Sequence, residues 1–94
     1  MICTVEEFGR DLMAWLKARE LDGDTRFYTN DEWKKRGETY GNSSICTVTT
    51  EGDLNRIVNF EGDDEIYQQL DRFVESYGLF WELGYGWDMH FEEI

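Results

Sequence analysis

From Leu79 to Phe91 every odd-numbered position is apolar or aromatic: Leu79, Trp81, Leu83, Tyr85, Trp87, Met89 and Phe91. The even positions from 82 onward are Glu82, Gly84, Gly86, Asp88, His90 and Glu92. A period of two sends alternate side chains to opposite faces, so this segment reads as strand with one buried and one wet face. A single straight strand of that length would span about 43 Å at roughly 3.3 Å per residue. That is too long for one small domain, so Gly84 and Gly86 mark a bend, bulge or turn. The expectation is one kinked strand or two short ones. Trp81, Trp87, Met89 and Phe91 then point inward, and Asp88, His90 and the glutamates point to solvent.

Upstream, local chemistry punctuates the chain. Thr4-Val5-Glu6-Glu7 is a capping box, in which threonine and glutamate side chains satisfy each other's backbone N–H groups. Val5, Phe8, Leu12, Trp15 and Leu16 follow at the spacing of one helical face, up to the turn at Asp22-Gly23-Asp24. Arg26-Phe27-Tyr28 reads as a short strand. Thr29-Asn30-Asp31-Glu32 is a second capping box, opening a short helix that ends by Gly37. Ser44 to Thr50 is rich in β-branched residues, Glu51-Gly52 turns the chain, and Leu54 to Phe60 returns with alternating character. These two runs read as a β-hairpin. Asp63 then caps a helix with the stripe Ile66, Leu70, Phe73, Val74 and Tyr77, which Gly78 ends. The fold class is α+β, with an antiparallel sheet of three or four strands and two main helices packed on one face.

Ninety-four residues make one domain, and aromatic residues at 16% can carry much of its core. No run approaches the roughly 18 apolar residues of a membrane helix, and the start Met1-Ile2-Cys3-Thr4 has no basic, apolar leader pattern. The expected compartment is the cytoplasm, in which Cys3 and Cys46 are free thiols.

Charge narrows the function classes further. The chain carries 21 acids against nine Lys and Arg, a net charge of −12, and Arg72 is the one base after residue 60. Such a surface repels nucleic acid and acidic membranes and attracts basic partners. Asp64, Asp71 and Glu75 fall near one side of the last helix, and Glu82, Asp88 and Glu92 face outward from the tail strand. Together they are expected to form one negative patch. Tyr85 and Trp87, beside the glycines, are the candidate anchors within it.

Catalytic patterns are sparse. His90 is the one imidazole and sits on the expected solvated face. Ser43, Ser44 and Ser76 lack a nucleophile-elbow context. Cys3, Cys46 and His90 lack the close pairing of a zinc site. No cofactor, metal or glycine-rich phosphate loop is expected. The reading is a binding protein, monomer or homodimer, and not an enzyme.

In the acids of residues 61–94 and the helices at Thr4–Leu16 and Ile66–Tyr77, the chain resembles small acidic anti-defence proteins of phages, anti-CRISPR proteins among them. The resemblance is one of size, charge and α+β pattern. It implies a stoichiometric inhibitor that blocks the basic nucleic-acid-binding site of a CRISPR effector in the bacterial host cell. Immunity proteins that neutralise toxin nucleases share the same style. A plain protein-interaction domain, whose acidity serves solubility, is the other reading.

Overall fold

Both Thr-x-x-Glu boxes close. The structure, a computed structural model, describes residues 1–94. In the first box Thr4 Oγ1 accepts from the Glu7 N–H at 3.1 Å and Glu7 Oε1 accepts from the Thr4 N–H at 3.0 Å. Helix α1 (Val5–Ala18) follows, burying Phe8, Leu12 and Leu16. Strand β1 (Thr25–Thr29) leads directly into α2 (Asn30–Lys35), capped by the same reciprocal bonds between Thr29 and Glu32. After β2 (Cys46–Thr50) come α3 (Asp53–Val58) and α4 (Asp64–Glu75). Asp63 caps α4 by accepting from the Glu65 and Ile66 N–H groups. The tail forms two short strands, β3 (Leu79–Leu83) and β4 (Asp88–Glu93), joined by a turn at residues 84–87.

The fold is α+β, with one antiparallel sheet of four strands in the order β1-β2-β4-β3. The register aligns Phe27, Val48, Met89 and Leu83 in one row across the sheet. It aligns Tyr28, Thr47, His90 and Glu82 in the next, so these rows point to opposite faces. On the first face Val48, Met89, Phe91, Cys46 and Leu79 meet α1, α3 and α4 in a core of 14 buried residues. Phe8 sits at its centre, edge-on to both Phe91 and Tyr77 with ring centroids 5.2 Å apart. The two main helices, α1 and α4, thus share one face, as the stripes predicted. No helix is long and apolar enough to cross a membrane.

Two expectations are corrected. Residues 54–60 are not the return strand of a hairpin: 53–58 is α3, and β2 pairs with β1 and β4 instead. Leu54, Ile57 and Val58 are all buried, the i, i+3, i+4 set of a helix. Phe60, the last residue of that expected strand, is 71% exposed. Nor is the second face of the sheet wholly solvated. Helix α2 crosses it, and Trp33 is fully buried there, against Tyr28, Trp87 and His90.

Candidate interaction site

The face under α2 holds the polar chemistry of the molecule. Asp88 and His90 stand two residues apart on β4 and point the same way, toward Thr47 of β2. Asp88 is 0% exposed and His90 4% exposed. His90 Nε2 lies 2.6 Å from Asp88 Oδ2, and His90 Nδ1 lies 2.8 Å from Thr47 Oγ1. With Nε2–H donating to the carboxylate, Nδ1 of a neutral ring accepts the Thr47 hydroxyl. Ser44 Oγ lies 3.4 Å from the same Nδ1 and donates to the Gly41 carbonyl at 2.6 Å. The rings of Trp33 and Tyr40 pack on the imidazole, each with its centroid 5.3 Å away. Gly41 lies so close that any Cβ there would collide with the imidazole. His90 and Asp88 are therefore not outward-facing surface residues, as the alternation suggested, because α2 and the loop after it cover them.

This network holds the β3–β4 turn. Asp88 Oδ1 accepts from the Tyr85 N–H at 2.6 Å, and the Gly84 N–H donates to the Asp88 carbonyl at 2.9 Å. A Cβ at Gly84 would run into the Asp88 carboxylate, so the glycine admits the contact. From the other side Asn55 of α3 and Asn59, which caps the end of that helix, both donate to the Gly86 carbonyl, at 2.7 and 2.8 Å. The Thr50 N–H donates to the Trp87 carbonyl at 2.7 Å. The turn is thus tied to β2, α3 and β4. Above it Tyr85, 60% exposed, stacks on half-buried Trp87 and meets Tyr40, 44% exposed. Trp87 packs on Trp33 and not on the main core, where Trp81 sits.

The eight residues singled out from the sequence divide four ways. Tyr85 and Trp87 form the displayed aromatic tip. Glu82 and Glu92 lie on the same face of the sheet, Glu82 in the row of His90 and Glu92 opposite Phe80. Asp64, Asp71 and Glu75 lie on α4, on the far side, so the acids occupy two surfaces and not one patch. Asp88 is internal. Thr47, Asn55 and Asn59 were missed; the one signal for Thr47 was the Asp-x-His spacing on β4, which needs a partner strand.

Beside the tip lies a cleft of about 260 Å³ lined by Asp24, Arg26, Tyr28, Arg36, Thr49, Glu51 and Trp87. A second, more open hollow lies between Asp53 and Asp63. Neither contains His90 or Cys46. Burial pushes the Cys46 thiol up to about 12, so it is protonated and unreactive at neutral pH. No three His, Cys, Asp or Glu side chains gather as a metal site would require.

No family model, no curated protein and no solved structure matches the chain. The functional reading rests on the site itself.

Proposed function

We propose that the chain is a stoichiometric protein inhibitor of the anti-CRISPR kind, which sets an acidic surface on the basic nucleic-acid-binding site of a CRISPR effector. The observation that carries this reading is the tied turn: a ring 60% exposed on a main chain held by Asp88, Asn55 and Asn59. An anchor ordered before binding spares the entropy that a mobile loop would lose. Exposed Tyr and Trp are the commonest anchors of protein interfaces. Glu82 and Glu92, on the same face, would meet basic groups around the anchor. Asp64, Asp71 and Glu75 would add to the field that steers a basic partner in. Asp88 would act through the Tyr85 main chain and not by contact. The enclosure of His90 and Thr47 favours a binding role over a catalytic one, since substrate could not reach them.

The test starts with capture from bacterial lysate at low and at ~0.5 M salt, where surface charge is screened beyond a few ångströms. The captured partner is then loaded with its labelled nucleic acid and titrated with this chain. Release of the nucleic acid at a one-to-one ratio is expected, weaker in high salt. Tyr85→Ala should weaken it by about 2 kcal/mol or more. A partner that keeps its nucleic acid, or binding indifferent to Tyr85→Ala, would overturn the proposal. A partner that is a toxin nuclease would move the chain to the immunity class.

A further inference from the structure

The cleft beside Trp87 has its own chemistry, independent of the inhibitor reading. Thr25 pairs with Thr50 and Arg26 with Thr49. Asp24 and Glu51 therefore flank the end of the β1–β2 ladder, on the face that carries Arg26. Tyr28, two residues further along β1, has its ring beneath the Arg36 guanidinium, 5.0 Å from the centroid. Carboxylates mark one pole of the cleft and guanidiniums its middle and other pole. Successive same-face residues on a strand lie about 6.6 Å apart.

The donors are poised. Arg26 forms no ion pair, although it lies in a chain with 21 acids. Arg36 donates to Tyr28 Oη at 2.9 Å and reaches Glu38 at 3.5 Å. Because Tyr28 Oη accepts from Arg36, its own O–H remains to donate. Thr49, buried, supplies a hydroxyl from the floor. Trp87 makes an aromatic wall.

An anion alone would face two carboxylates and the net charge of the chain; a cation alone would face two guanidiniums. A molecule carrying both charges meets neither penalty. The volume is below the range of about 300–1,000 Å³ typical of drug-sized ligands, so the ligand is small. The geometry points to a site for a small zwitterion, a free α-amino acid, its carboxylate toward Arg26 and Arg36 and its ammonium toward Asp24 and Glu51. Arginine suits the carboxylate because its planar fork binds two oxygens at once. The ligand's side chain would lie along Trp87 and Tyr28.

The full chain is probed by saturation-transfer NMR with the twenty L-amino acids, each at about 1 mM, a concentration that reveals weak binding. The strongest binder is then titrated by calorimetry beside its N-acetyl and its carboxamide forms. Binding of the free amino acid is expected, weakened about tenfold or more when either end is blocked. Arg26→Gln and Glu51→Gln, both at exposed positions, should each weaken it similarly and leave the thermal midpoint unchanged. Silence from all twenty would overturn the inference. So would an N-acetyl form that binds as well, which means a plain anion site, or an equally tight carboxamide, which means a cation site. Undiminished binding by both variants would place the ligand elsewhere and refute it too.

Discussion

The two faces of the sheet are built on different principles. The face toward α1, α3 and α4 is closed by aliphatic and aromatic packing: Val48, Met89 and Phe91 against Phe8, Leu12, Leu70 and Val74. Its cohesion grows with apolar area and demands little direction. The face toward α2 buries an aspartate, a histidine and threonines, and such groups are tolerated inside only when hydrogen-bonded. Direction is what that face gains. Asp88 binds an imidazole with one oxygen and the Tyr85 main chain with the other. The apolar face makes the domain stable; the polar face positions a loop.

That contrast can be broken most forcefully from the apolar side. Phe91→Ala should cost about 3–5 kcal/mol, read from urea unfolding with an unchanged slope. A loss under ~1 kcal/mol would mean that the core closes over the cavity and the division of labour is wrong. Asp88→Ala should cost less, about 1–3 kcal/mol for the buried His90 Nε2–H that it leaves without a partner. Its sharper signature is local: the Tyr85 amide should lose its hydrogen-exchange protection while amides of β2 keep theirs. Uniform loss of protection would make Asp88 a general stability residue and not a positioning one.

The smallest effect at neutral pH concerns acid–base behaviour, and it belongs to the apolar side. Cys46 stands in the row of Phe91, and burial pushes its thiol from 9.0 up to about 12. Burial also pushes the Tyr77 hydroxyl from 10.0 up to about 12, helped by its hydrogen bond to Asp11 at 2.8 Å. Both groups are held protonated by the fold. Their stability contribution is complete below the unfolded values and lost as pH climbs from about 9 to about 12. Stability should hold up to about pH 9 and fall steadily above it in chemical denaturation. Cys46→Ala should shift the onset upward by removing the earlier of the two groups; an unchanged onset would show that neither the thiol nor its burial governs alkaline unfolding.

The same contrast explains what could be read in advance. Thr4–Glu7, Thr29–Glu32 and Asp63 act within a few residues, so their helix starts are legible without any tertiary contact. The aliphatic face follows from alternation in the tail. Helix α3 was hidden because a six-residue segment makes fewer than two turns. Leu54 and Val58 then satisfy a period of two as well as a helical one. Packing decided between them, by burying Ile57 and leaving Phe60 outside. The placement of Asp88 and His90 was hidden for a non-local reason. Polar residues at alternate positions normally mean solvent, and here they mean Trp33, carried by a helix more than fifty residues earlier. The candidate anchors were visible as aromatics beside glycines; the asparagines that hold their turn, coming from α3 and the residue that caps its end, were not.

Position 85 is fixed through its main chain and open through its side chain. The Asp88 carboxylate takes hold of the N–H at 2.6 Å, which every residue type except proline possesses, while the ring projects outward. The platform and its tip are thus separable in heredity: the tip can be exchanged for another side chain without disturbing the network beneath. Gly84, pressed against that carboxylate, has no such freedom, so one residue of this turn is permitted to drift and its neighbour is not.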